Sequence, residues 1–196
     1  MKTLLYIDCC IRREDSRTRL LAERFLAAVE ARGEYSVEKL CLMDENLSPF
    51  SDGFFAQRER LLAATALDHP RFRYAHQFQR ADRVLIAAPF WDLSFPALLK
   101  IYIENISVDG VTFRCDASGC AGVCRAERLC YITTRGGCYE GTPLEQGARY
   151  IEAMCAFFGI PRFDCVAAEG LDLGLEAPDT ILARAYVDAD MLAAEF

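Results

Sequence analysis

The chain has 196 residues, 53% hydrophobic and 26% charged, with a formal net charge of -7. That length supports one α/β domain with a sizeable core and is too short for two ordinary ones, so residues 1–196 are expected to form a single domain. The acidic balance excludes a nucleic-acid surface, which needs clustered Lys and Arg. The opening apolar run is far below a signal-peptide core or a membrane span, so the expectation is a cytoplasmic protein with no membrane partner.

In chain order, residues 3–8 form a short apolar strand ending at a polar turn. After Ser16-Arg17-Thr18-Arg19, the residues Leu20, Leu21, Phe25, Ala28 and Val29 recur at three- and four-residue spacings, the pattern of one buried helix face. Gly33 closes that helix, and a second strand is expected over 36–42. Residues 44–80 read as a helical excursion, with one helix near Arg58 to Leu62 and another over 72–79. The third strand, 84–88, is continuously apolar and stops at Pro89, as a parallel strand buried on both faces should. A helix with Pro96 in its first turn follows, where a missing N–H is harmless. Residues 129–133 give a fourth strand, 143–158 a helix ending at Gly159-Ile160-Pro161, 163–168 a fifth strand, and a last helix runs toward Phe196. Strands alternating with helices imply a doubly wound parallel sheet with helices on both faces and right-handed crossovers. In such sheets ligands sit beyond the carboxyl ends of the strands, where strand order reverses.

The chain holds ten cysteines. Without a secretory signal their expected state is the free thiol. Cys41, Cys155 and Cys165 lie in apolar stretches and are expected to pack as small hydrophobes. Cys115, Cys120 and Cys124 fall in a Gly-rich loop, but their spacing lacks C-x-x-C pairs and no histidine is near, so no metal site is expected. His69 and His76 lie in the excursion and read as surface or interface residues.

Three loops follow the carboxyl ends of strands one, three and four. The first, residues 9–18, delivers N–H groups and the hydroxyls of Ser16 and Thr18 to a helix N-terminus, with Arg17 beside them. That arrangement suits an anion, and Ser16 equally suits a simple helix cap. The second, Pro89-Phe90-Trp91-Asp92-Leu93-Ser94-Phe95-Pro96, holds the only Trp in the chain and three aromatic residues, which suit a flat ring or an apolar interface. The third, Thr133-Thr134-Arg135-Gly136-Gly137-Cys138-Tyr139, offers two glycines where a ring could approach the backbone.

The stretch Ala87-Ala88-Pro89-Phe90-Trp91-Asp92-Leu93-Ser94, together with Leu99-Lys100-Ile101-Tyr102, Gly110-Val111-Thr112-Phe113 and Thr134-Arg135-Gly136-Gly137, resembles the FMN-dependent NADH azoreductases. These belong to the flavodoxin-like NAD(P)H:quinone oxidoreductases. The resemblance implies a flavodoxin-like sheet of order 2-1-3-4-5, FMN as cofactor, NADH or NADPH as donor, and quinones or azo compounds as acceptors reduced by two electrons in ping-pong order. It implies a homodimer with flavin sites at the subunit interface. By the same likeness Cys10, Ser16, Arg17 and Thr18 would surround the flavin phosphate; Pro89, Phe90, Trp91, Asp92 and Leu93 would run along the isoalloxazine; and Thr134, Arg135, Gly136 and Gly137 would meet its pyrimidine end. Tyr139 and Phe113 are candidate acceptor contacts. No side chain is assigned as acid, base or nucleophile, because hydride chemistry belongs to the cofactor.

Two positions depart from the family pattern. Cys10 stands where a serine usually faces the phosphate and is a weaker donor, and Asp92 stands where Asn is usual, losing two amide donors and gaining a charge. Two other readings remain in view. A low-molecular-weight phosphatase would have a cysteine, five residues, then Arg-Ser/Thr; here six residues separate Cys10 from Arg17-Thr18, and the chain lacks the Asp-Pro dipeptide of that family. A flavin-binding redox sensor would draw on the cysteines between Cys115 and Cys130.

Overall fold

Five segments pair side by side and in parallel in the computed structural model, which describes residues 1–196. Numbered with a separate hairpin included, the strands are β1 (Lys2–Asp8), β2 (Tyr35–Cys41), β3 (Arg83–Ala87), β4 (Phe113–Asp116), β5 (Gly119–Gly122), β6 (Leu129–Thr134) and β7 (Phe163–Ala168). The main sheet runs β2-β1-β3-β6-β7, and every pairing in it is parallel. The helices are α1 (Arg17–Ala31), α2 (Asp52–Ala63), α3 (Arg73–Arg80), α4 (Ala97–Ile106), α5 (Gly147–Phe158) and α6 (Pro178–Glu195). The expected order of the five strands stands, with boundaries shifted by a residue or so; α5 begins at Gly147, because residues 139–146 form a turn instead.

Side-chain alternation along the strands feeds two separate cores. In β1, Leu4 and Tyr6 join the residues of α1 and α6, whereas Leu5 and Ile7 join those of α3, α4 and α5. The first core interlocks Phe25 of α1 with Phe196 just beyond α6, edge to face at 5.1 Å. The second buries Tyr102 and Phe158, with Phe78 of α3 packed on Phe158 at 5.1 Å. Even the adjacent Cys9 and Cys10 split, one to each core. The excursion makes a small third core of Phe72, Ala75, Val108 and Val111. No helix is long and apolar enough to cross a membrane.

Three expectations are corrected. The Gly-rich segment after Phe113 is not a loop: β4 and β5 pair antiparallel as a hairpin that sits apart from the main sheet. Not all ten cysteines are free thiols, since Cys115 and Cys120 face each other across that hairpin as a disulfide. Cys165 is exposed on the edge strand β7 and does not pack into a core, while Cys155 is buried and Cys41 half-buried.

The hairpin is fixed to α5 by close backbone packing. A Cβ on Gly122 would lie 1.9 Å from the Phe158 carbonyl carbon and 2.0 Å from the Gly159 nitrogen, so only glycine fits. Gly122→Ala should therefore destabilise the fold by about 1–3 kcal/mol, the cost of overpacking against a backbone that cannot yield. Urea unfolding checks this, and an unchanged midpoint would show that the hairpin lifts off freely.

Candidate functional site

The three loops meet at the carboxyl edge of the sheet because hydrogen bonds tie each to the next. Cys9 donates its N–H to the Ala87 carbonyl at 2.8 Å, linking the ends of β1 and β3. Phe90 donates to the Thr134 carbonyl at 3.1 Å, linking the aromatic turn to the end of β6. The hydroxyls of Thr18 and Thr134 lie 2.6 Å apart, joining the first turn of α1 to the same point. Between them lies a cleft of about 250 Å³ with a largely polar lining.

One wall is the start of α1. Ser16 caps it, its Oγ accepting from the Arg19 N–H at 3.3 Å, so the plain capping role is real. The N–H groups of Arg17 and Thr18 have no acceptor within the chain. Unpaired donors at the positive end of a 15-residue helix form a receptor for an anion. Arg12 and Arg17 add positive charge to this wall, and Asp15 and Asp172 add negative charge. Arg17 is already engaged, its guanidinium 2.9 Å from Asp172 Oδ1.

The second wall is the aromatic turn. Trp91 and Ser94 exchange backbone hydrogen bonds at 3.1 and 2.8 Å, and Asp92 and Leu93 between them adopt φ of 48° and 68°. Two consecutive left-handed residues make the tight turn that favours Asn, Asp or Gly first; Leu93 there is strained, as backbone at ligand sites often is. Asp92 keeps the turn geometry that an Asn would give. The turn leaves Trp91 41% and Leu93 39% exposed, apolar surface with no cover from the chain itself. Phe90 packs on Tyr139 at 4.8 Å.

The third wall is held from behind by a buried charge cluster. Arg135 is 2% exposed, with its guanidinium 2.6 Å from Glu169 and 3.1 Å from Glu145. Glu169 Oε1 also accepts from the N–H groups of Tyr139 and Glu140, both at 3.0 Å, which fixes the glycine turn. The N–H groups of Gly136 and Gly137 have no acceptor within the chain. A Cβ at Gly136 would come within 2.5 Å of Asp172 Oδ2, the end of an exposed side chain that can swing aside.

Of the residues named from sequence, Ser16, Arg17, Thr18, Pro89, Phe90, Trp91, Thr134, Arg135 and Gly136 line the cleft together. Asp92, Leu93 and Gly137 stand beside it in the same turns. Cys10 does not line it: the residue is fully buried, and its thiol points at the Ala87 carbonyl, 3.7 Å away. Burial, then the neighbouring Asp8 carboxylate, push that thiol far above the ordinary range. A phosphatase nucleophile requires the opposite shift. Phe113 packs on Phe157 at 4.7 Å in the hairpin and lies outside the cleft lining. His69 caps a short turn by accepting from the Arg71 N–H, and His76 contacts the Leu67 carbonyl. Sequence reasoning missed Arg12, Asp15 and Asp172 in the lining, and Glu145 and Glu169 behind it.

A parallel sheet with this order, its first helix aimed at a cleft beyond the strand ends, defines a flavodoxin-like protein, and residues 2–191 match the family model described as the flavodoxin-like fold. Curated relatives narrow the class. The chain is 34% identical over 175 residues, 88% of each sequence, to an FMN-dependent NADH:quinone oxidoreductase of Clostridium perfringens. It is 31% identical, over the whole of both sequences, to an FMN-dependent NADH:quinone oxidoreductase of Caldicellulosiruptor saccharolyticus. A crystal structure of an azoreductase from Bacillus anthracis superposes with a TM-score of 0.89 at 26% identity, covering all of both chains. The chain belongs to the flavodoxin-like family of FMN-dependent NADH:quinone oxidoreductases.

The buried cluster yields a stability prediction. Arg135→Met strands two carboxylates without their cation and should cost about 3–5 kcal/mol, the usual penalty for breaking a buried ion pair. Chemical denaturation checks it; a loss of under about 1 kcal/mol would mean that water already reaches the cluster.

Proposed function

We propose that the protein is an FMN-dependent NAD(P)H oxidoreductase that reduces quinones and azo compounds by two electrons in ping-pong order. In this reading it works in the cytoplasm as a homodimer of single doubly wound domains, with residues 44–80 as a helical excursion on each. The observation that carries the reading is the convergence on one cleft of unpaired helix N–H groups, an uncovered aromatic turn and a glycine turn with free N–H donors.

The residues present fit FMN. Unspent N–H groups at Arg17 and Thr18, and again at Gly136 and Gly137, are the donors that a phosphate and the carbonyl edge of a flat ring require. Ser16, Arg17 and Thr18 would hold the phosphate, with Arg12 neutralising its charge and Cys10 contributing shape only, its thiol being turned into the core. Pro89, Phe90, Trp91, Asp92 and Leu93 would border the ring, and Thr134, Arg135, Gly136 and Gly137 its pyrimidine end. When bound, FMN supplies hydride acceptance from the nicotinamide and hydride donation to the acceptor. The chain's own work is to orient and to exclude water. The Arg135–Glu145–Glu169 cluster keeps the glycine turn rigid, and the strained turn at Asp92 and Leu93 keeps Trp91 presented to the cleft. Tyr139, stacked on Phe90, lies where an acceptor could touch it.

Asp172 opposes a phosphate. It lies in the cleft and occupies Arg17, so Asp172→Asn removes a like charge and frees the guanidinium. The variant should bind FMN about 3- to 10-fold more tightly, the scale of one solvent-screened charge contact. Titration of the apoprotein by visible absorbance measures both this and the parent affinity, and NADH oxidation with a benzoquinone measures turnover. Apoprotein that takes up no FMN at micromolar concentration, or a flavin-loaded protein inert toward NADH, would overturn the reading.

A further inference from the structure

The hairpin β4–β5 takes no part in the cleft lining, yet it holds the one cysteine pair in the chain. Its register sets Cys115 opposite Cys120 with their Cα atoms 4.0 Å apart. Both residues are exposed. We propose that Cys115 and Cys120 form a reversible dithiol–disulfide site, a redox site separate from the flavin chemistry, that exchanges electrons with peroxides and with small or protein dithiols.

A structural staple is the competing role, and three observations weigh against it. The bond closes a loop spanning only five positions of sequence, and a disulfide stabilises least when the loop it closes is short. The hairpin is also held without it. Phe113 packs on Phe157, Gly122 abuts the backbone of Phe158 and Gly159, Val123 donates its N–H to Thr112 at 3.0 Å, and Cys124 donates its N–H to Phe158 at 3.1 Å. At the tip, Asp116 accepts from the Ser118 N–H at 2.7 Å and closes the turn. The ladder therefore holds the two sulfurs in register whether or not they are bonded, and interconversion needs no backbone rearrangement. Finally, both residues of the pair are exposed, as a labile pair must be and a staple need not.

Five of the other cysteines offer little competition for an oxidant. Burial pushes the Cys9, Cys124 and Cys155 thiols up to about 12 and raises Cys10 and Cys130 further, so they stay protonated and unreactive at neutral pH. Cys138, in the glycine turn after β6, and Cys165, on β7, are exposed but stand outside the hairpin, and Cys41 is half-buried.

The chemistry balances with reagents of two classes. In the oxidising direction a thiolate of the pair attacks the peroxide, the O–O bond breaks, and a sulfenic acid and an alcohol or water result. The opposite thiol then displaces the sulfenic oxygen as water and the S–S bond forms, so two electrons have passed to the peroxide. In the reducing direction a dithiol attacks one sulfur to give a mixed disulfide. Its second thiol releases the protein thiols and leaves the reductant as its own disulfide.

The test uses the native full-length protein. Aliquots untreated, treated with dithiothreitol, and treated with dithiothreitol then hydrogen peroxide are blocked with N-ethylmaleimide and mapped by peptide mass spectrometry. Cys115 and Cys120 should be unlabelled, then both labelled, then unlabelled again, with the far-ultraviolet circular dichroism constant throughout. The Cys115→Ser/Cys120→Ser variant should fold and show neither change, whereas Cys138→Ser should show both. Cys115→Ser alone should leave Cys120 as a sulfenic acid that dimedone captures after peroxide. A pair that resists dithiothreitol until guanidinium unfolds the protein would establish a staple and overturn the proposal. Re-pairing of either cysteine with another residue or another chain would overturn it too.

Discussion

A parallel sheet covered on both faces has no room for polar side chains along its central strands. In this protein the constraint fixes where chemistry can occur. Every residue of β6 is buried, and the strand runs Leu-Cys-Tyr-Ile before turning polar at Thr133-Thr134-Arg135, where it leaves the layer. β1 ends the same way, at Asp8, and β3 ends at Ala87, two residues before Pro89. Since all five strands point in one direction, these polar endings gather at a single edge, and the chain reverses its strand order there between β1 and β3. The cleft is the consequence: α1 leaves from this edge with its N-terminus inward, and the turns after β3 and β6 close around it.

Charge inside this edge is arranged in two tiers. Behind the glycine turn, Arg135 is sealed in with Glu145 and Glu169, so its charge is spent on rigidity. In front, Arg12 and Arg17 are open to a ligand, and Asp15 and Asp172 moderate them. An anion at the start of α1 would therefore meet helix N–H groups and the guanidinium groups of Arg12 and Arg17. Asp172, paired with Arg17 at 2.9 Å, sets how freely that guanidinium can turn to an anion.

Much of this was legible in the sequence, and physical reasons separate what was from what was not. The central strands β1, β3 and β6 hold continuous apolar runs that only a twice-covered sheet explains, and α1 declares itself by the spacing of Leu21, Phe25 and Val29. The residues at the strand ends were found because they follow those runs directly. The β4–β5 hairpin escaped because its two four-residue strands, Phe-Arg-Cys-Asp and Gly-Cys-Ala-Gly, lack a strong apolar alternation, and Gly122 packs it on the backbone of α5. Asp172 and Glu169 escaped for another reason: they follow the last strand, and only tertiary pairing of residues 170–172 with 135–137 brings them to the site. Cys10 has the right position in the first loop, but its side chain falls on the core side of the alternation that sends Cys9 to the opposite core.

Comparison of the apoprotein's affinities for FMN and for riboflavin, which lacks only the phosphate, tests most directly whether the N-terminus of α1 is the anchor. Two or more charge-assisted hydrogen bonds from that end should make FMN the tighter ligand by about 100-fold or more. Equal affinities would contradict the assignment of Ser16, Arg17 and Thr18 as the phosphate site.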